Sequence, residues 1–189
     1  MAELIVNNIP AHAAVDRVEI AEPGFINFFI NEKVEAQVIA EVLQKGELFG
    51  PGKFDKDPLN STSNLELDNT VQYAHARISS VLRQLKEQGL NWDEEKGLAN
   101  INLLVEPQEK ALIKLVSSYP GVIKATSASN QLAKYLKELA TGLHSYYNAV
   151  QLLPEQESLR SARLCLSKAI RQVLRNGLQL IGVLTPESM

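Results

Sequence analysis

Hydrophobic and polar positions divide this chain into three stretches of different character. In the first 50 residues the pattern is mixed. AELIVNNIP reads as the end of a helix, stopped by Pro10. AAVDRVEIA (13–21) and GFINFFI (24–30) read as two strands, and EPG (22–24) between them suits a hairpin turn. Asn31 then caps EKVEAQVIAEVLQKG, in which Val34, Val38, Ile39 and Val42 share one face and Gly46 is a C-cap signal. A lone hairpin with one helix buries little apolar surface, so this piece needs more chain or a partner surface. Self-association is one way to cover that hairpin, and a separate chain is another. Residues 50–69 have no hydrophobic period. Gly, Pro, Ser, Asn and Asp dominate them, which is the composition of a linker.

From Val71 onward the period is helical. Val71, Ala74, Ile78, Val81, Leu82 and Leu85 recur at i, i+3, i+4 spacing, and Gly89 closes the run. The stretch from Trp92 to Leu104 is mixed and suits a short helical piece in a loop. Pro107 opens PQEKALIKLVSSY, which Pro120-Gly121 is expected to end. Ser127 or Ser129 caps a long run reaching about residue 152, Pro154 breaks it, and Leu159 to Val183 forms the last helix. The predicted fold is mainly α: a C-terminal α-helical bundle with a small N-terminal α+β hairpin-helix piece. The predicted organisation is a partial domain over 1–50, a linker over 51–69 and the bundle over 70–189.

Composition narrows the function classes. Hydrophobic residues are 45% and charged residues 22%, the range of a globular protein, and the net charge is −3. A wholly basic nucleic-acid binder is excluded, so any polyanion site must be a local patch. Cys165 stands alone, so no intrachain disulfide can form, and its apolar helical setting suits an inert core residue. No charged-then-apolar leader opens the chain and no apolar run approaches the length of a bilayer span, so a cytoplasmic protein without membrane contact is expected. Asn60-Ser61-Thr62 matches a glycosylation acceptor by chance. The three histidines, His12, His75 and His144, lack ligand or relay spacing. There is no His/Cys cluster for zinc, no phosphate-cradling Gly-rich loop and no Ser nucleophile elbow. Glu94-Glu95 and Glu155/Glu157 lie in polar loops. No catalytic residue and no metal site is expected in this chain, and no cofactor.

Two constellations point to RNA. On a helical wheel of about 100° per residue, the apolar stripe of 71–85 lies about 80°–180° from Tyr73, while Arg77, Ser80 and Gln84 fall within about 40° of it. An aromatic ring beside a guanidinium can stack an unpaired base and hold its phosphate. The alternative is a cation–π pair on a solvated face. The second constellation is the last helix. Residues 158–183 carry five basic residues and no acidic one. Arg160, Arg163, Lys168, Arg171 and Arg175 fall within about 140° on the wheel, opposite Leu159, Ala162, Leu166, Ala169, Ile170 and Val173. Such a stripe suits a phosphate backbone, or equally a solvated face paired with acidic neighbours. Tyr146-Tyr147 adds either exposed aromatic surface or core.

The same residues carry a family likeness. VQYAHARISSVLR resembles the helix that opens the DALR-type anticodon-binding domain of arginyl-tRNA synthetases. SARLCLSKAIRQVLRNGLQLIGVLTPESM is similar to the end of those proteins, and AVDRVEIAEPGFINFFI resembles the hairpin closing their N-terminal domain. The likeness covers about 12–50 and 66–189. In that family a class I catalytic domain using ATP and arginine lies between the two parts. Its His-x-Gly-His and Lys-Met-Ser-Lys signatures are absent here. The junction falls within the linker, near 49–57. The resemblance implies tRNA anticodon-stem-loop contacts by Tyr73, Arg77, Tyr147 and Met189, and tRNA-elbow contacts by Phe25 and Asn27. Thr70 stands where the family often has another aromatic, and Glu187-Ser188 where it prefers basic or apolar residues. The implied function is arginine-tRNA binding by a shortened arginine–tRNA ligase that lacks its catalytic domain. Two alternatives remain open. One is a ligase fragment that works with a separate catalytic chain. The other is a protein-interaction module that has lost RNA binding.

Overall fold

The computed structural model describes residues 1–50, 69–125 and 129–185. Residues 51–68 of the expected linker over 51–69, and Glu187, Ser188 and Met189, lie outside the described residues. The chain forms two compact units, Met1–Gln37 and Val38–Met189.

The first unit is built on an antiparallel hairpin. Helix α1 (Ala2–Val6) precedes strands β1 (Val15–Ala21) and β2 (Phe25–Ile30). Ile20 pairs with Ile26, Glu19 with Asn27 and Ala21 with Phe25. Helix α2 (Glu32–Ala36) follows, and the Asn31 side chain caps it by accepting the Lys33 N–H at 3.0 Å. Burial here is slight. Ile20, Phe25, Phe28 and Ile30 remain exposed, and Ala36 is the one buried residue among those described in this unit.

The second unit begins with α3 (Val38–Lys45) and a 3-10 turn (Gly46–Leu48). The sequence pattern expects one helix from Glu32 to Lys45. The structure ends α2 at Ala36, and Gln37 caps it with helical dihedrals (φ −63°, ψ −17°). The expected 1–50 piece is thus divided, because α3 buries Val38, Ile39 and Val42 in the bundle. Phe49 is buried there too, stacked on Tyr119 with ring centroids 6.0 Å apart. Asn176 fastens this segment by donating to the carbonyls of Gly46 (3.0 Å) and Phe49 (3.3 Å).

Helices α4 (Thr70–Glu87), α5 (Glu94–Ala99), α6 (Pro107–Ala125), α7 (Ser129–Ala149) and α8 (Glu157–Leu180) complete the bundle. Gly46 and Gly89 follow α3 and α4 with φ of 53° and 65°, the left-handed conformation that ends a helix. Helix α8 is the axis, packed against α3, α4, α5, α6 and α7. Leu164, Leu166, Ile170, Val173 and Leu174 are fully buried along it. Pro120 does not end α6 as expected; it lies inside the helix. Its missing N–H and ring are costly there. Tyr119 and Ile123 are buried on either side of it, so packing keeps the helix running through the proline. Among the described residues no helix is long and apolar enough to cross a membrane.

Candidate nucleic-acid interface

Helices α4 and α7 pack side by side. The apolar stripe of α4 turns inward, with Val71, Ala74, Ile78 and Leu85 buried. That rotation leaves Tyr73 47% exposed and Gln84 exposed, as the wheel predicts. Arg77 and Ser80 are half-buried, and the Ser80 hydroxyl is turned to its own helix, donating to the Ala76 carbonyl at 3.1 Å.

Two ring contacts join α4 to α7. Tyr73 stacks on His144 with centroids 5.7 Å apart and planes 28° apart. The Arg77 guanidinium lies 4.7 Å from the centroid of the Tyr147 ring. Tyr73 and Arg77 are four residues apart on α4, and His144 and Tyr147 three apart on α7, so each pair sits about one turn from the other. The Tyr–Arg pair on α4 thus does not close on itself; each member finds an aromatic on α7. Burial, and then the Arg77 charge, lower the His144 pKa and favour its neutral form. Burial raises the Tyr147 pKa, with Arg77 opposing, so the phenol stays neutral. The Tyr147 hydroxyl is buried with no hydrogen-bond partner among the described residues. Gln72, next to Tyr73, donates to the Leu184 carbonyl at 2.9 Å and so ties the chain after α8 to the first turn of α4.

Tyr146 points the other way, fully buried. Its hydroxyl donates to Glu109 Oε1 at 3.1 Å. Arg163 Nε donates to the same oxygen at 2.8 Å, and the Glu106 N–H donates to Oε2 at 3.0 Å. Glu109 has 0% exposure. Nothing in the helical period singled it out. The available signal was its place at the third position of α6, after Pro107, where a glutamate can reach back to the N-cap N–H.

The basic stripe of α8 needs correction. Arg160 and Arg163 are each only 6% exposed. Arg160 donates through Nε and Nη2 to the Asn91 carbonyl and through Nη1 to the carbonyls of Pro154 and Glu155. Arg163 Nη1 donates to the Gln151 carbonyl at 2.7 Å. These two side chains are spent inside the fold and are not available to a phosphate backbone. The physical reason is tertiary: the Asn91 loop and the 151–155 turn close over these positions, and α6 brings Glu109 to Arg163, on a side of α8 that an isolated wheel leaves open. Lys168, Arg171 and Arg175 remain half-buried around a cleft shared with Leu43, Glu94 and Gln172. Lys168 pairs with Glu94 and lies over the Trp92 ring, and Arg175 pairs with Glu47 at 3.2 Å.

Phe25 and Asn27 belong to the first unit. Both are exposed, Phe25 by 66%, and their alternation on β2 puts them on one face of the hairpin. Arg17, from β1, lies over Phe29 at 3.9 Å and pairs with Glu19 at 2.8 Å. Among the described residues no group of His, Cys, Asp and Glu is placed to hold a metal ion. Cys165 is buried, its pKa pushed up to about 12 first by burial and then by Glu94.

Comparison with known proteins identifies the family. The family described as the DALR anticodon binding domain matches residues 71–189, and the family described as the arginyl tRNA synthetase N terminal domain matches residues 1–30. The arginine–tRNA ligase of Legionella pneumophila is 58% identical over 139 residues, covering 72% of this chain and 24% of that protein. That of Hydrogenovibrio crunogenus is 48% identical over 139 residues, with the same coverage of 72% and 24%. The solved Thermus thermophilus arginyl-tRNA synthetase aligns with a TM-score of 0.52 and 31% identity, over 63% of this chain and 20% of that one. This chain therefore spans about a quarter of the length of the curated relatives it matches. Its helical unit, with the Tyr73 and Tyr147 helices facing each other, belongs to the DALR anticodon-binding-domain family of arginyl-tRNA synthetases.

Proposed function

We propose that this chain binds the anticodon stem-loop of an arginine tRNA through the α4–α7 surface, and performs no aminoacylation by itself. The observation that carries this reading is the exposed Tyr73 ring beside the Arg77–Tyr147 pair, in a domain of the DALR anticodon-binding family. A base stacks on the ring, and the guanidinium is within reach of its phosphate or edge. On this reading the ATP and arginine chemistry of the family lies outside this chain. Its setting is the cytoplasm, where the tRNA pool is. Phe25 and Asn27 would add contacts at the tRNA elbow, and Met189 at the anticodon loop.

A second reading follows from length. Matching about a quarter of its relatives, the chain can serve as the tRNA-holding part of a ligase whose catalytic part is a separate chain. Co-purification of a class I catalytic subunit would favour that reading.

The test is a titration with an arginine tRNA and a non-cognate tRNA at two salt concentrations. Tighter binding of the arginine tRNA, weakening with salt, is expected. Tyr73→Ala should cost about 1–3 kcal/mol of binding free energy, the worth of one base–aromatic stack. Equal binding of both tRNAs, or an unchanged affinity in the variant, would overturn the assignment.

A further inference from the structure

We infer that His144 is a positioning residue for base stacking: its imidazole backs one face of the Tyr73 ring and leaves the other face as a platform for a single base. The inference rests on the anticodon-loop reading of the α4–α7 surface and deepens it. Neither the helical period nor the aromatic pattern assigns His144 a role, and the geometry does.

Tyr73 stands in the first turn of α4 and is half in solvent. An exposed tyrosine on a helix end samples several rotamers, and a base that stacks on it must freeze one of them. The His144 ring, 5.7 Å away and within 28° of parallel, selects a rotamer before any base arrives. Preorganisation of this kind raises affinity without adding a contact to the ligand. The buttress is itself held firmly. Leu143 before it and Tyr146 after it are fully buried, so the core fixes where α7 presents residue 144. The Tyr73 ring and the Arg77 charge, both from α4, act on the imidazole. Its neutral form avoids a second cation next to Arg77, and Arg77 is meanwhile held over Tyr147 one turn away. Tyr73 is thus closed on one side by His144 and flanked by a fixed guanidinium. One ring face remains for the ligand.

The experiment uses the full chain and a transcript of an arginine tRNA at neutral pH. The variants are Tyr73→Ala, His144→Ala, His144→Leu, His144→Phe and the double variant Tyr73→Ala with His144→Ala. Thermal unfolding of each checks that the bundle is intact. His144→Ala and His144→Leu should each weaken binding on the order of threefold to tenfold, the coupling usual for residues in contact. His144→Phe should restore it, since a ring of similar size still backs Tyr73. In the Tyr73→Ala background the additional loss from His144→Ala should vanish. The leucine variant keeps the apolar volume without the ring, so it separates stacking from mere filling. If Tyr73→Ala weakens binding but neither non-aromatic variant does, His144 is not a buttress and the anticodon reading stands. If His144→Ala costs the same with or without Tyr73, it contacts the RNA on its own account and the buttress is overturned. If Tyr73→Ala has no effect, the anticodon reading falls and this inference with it.

Discussion

At the residue scale, the strongest constraints sit behind the interface. Glu109 is a carboxylate with no solvent, stabilised by Arg163, Tyr146 and the Glu106 N–H. A pair that is fully hydrogen-bonded contributes little net stability, but removing one partner strands a buried charge. Arg163→Met is therefore expected to destabilise the bundle by about 3–5 kcal/mol in urea denaturation. Adding Glu109→Gln should recover part of that, because the amide oxygen still accepts from Tyr146. Tyr146 and Tyr147 also lie in tilted contact, 6.4 Å between centroids, so the buried Tyr146 supports the half-buried ring on which Arg77 rests. His144 gives a second residue-level expectation. Its folded pKa is lowered by burial and by Arg77, whereas an unfolded histidine titrates near about 6.5. The unfolded state then binds the proton more readily. The stabilisation is complete above that value and is lost as pH falls through the folded pKa. Thermal stability should fall on acidification, and His144→Phe should fall less. An identical decline in both proteins would contradict this.

At the element scale, two glycines show how tightly α8 is enclosed. A Cβ on Gly97 would lie 2.5 Å from both the Cys165 Sγ and the Ser161 carbonyl oxygen. That oxygen is helix backbone and cannot give way, so α5 would have to lift from α8. A Cβ on Gly177 would meet Leu136 Cδ2 at 2.4 Å and Cδ1 at 2.9 Å, so this fully buried side chain, not backbone, would have to shift. Gly97→Ala should cost about 3 kcal/mol, the upper range for overpacking. Gly177→Ala should cost less, about 1–2 kcal/mol, since a side chain rather than backbone must move and alanine also favours the helix. Circular-dichroism melts of the two variants check the order; a costlier Gly177→Ala would be the wrong result. The same enclosure accounts for Arg160 and Arg163. They occupy polar wheel positions of α8, but the Asn91 loop, the 151–155 turn and Glu109 of α6 close over them. Pro120 teaches the converse lesson. A strong local stop signal was outweighed because the buried run Val116, Tyr119, Ile123 continues through it.

At the scale of the whole molecule, the basic stripe of α8 is largely buried or paired. Of the five basic residues of α8, two are buried, and Lys168 and Arg175 already face Glu94 and Glu47. tRNA affinity should therefore depend weakly on salt, with a log–log slope no steeper than about −2 to −3, because each phosphate contact contributes about −0.7 to −0.9. A steep slope would restore the stripe as a phosphate track. Sequence by itself determined the helices of the bundle, the hairpin and the outward rotation of Tyr73, because each is written in a local period of hydrophobic and polar residues. The YAHAR helix was legible for that reason. Only the tertiary structure decided which polar side chains stay outside. Arg160 and Arg163 differ from Arg77 not in local pattern but in what packs over them, and Glu109 and His144 take their roles from residues distant in sequence. The same holds for α3, whose apolar face is equally apolar wherever it docks. Its place against α8 depends on contacts more than a hundred residues away, among them Asn176 with Gly46 and Phe49. A period along the chain specifies which face is buried; the identity of the covering partner is a property of the assembled fold.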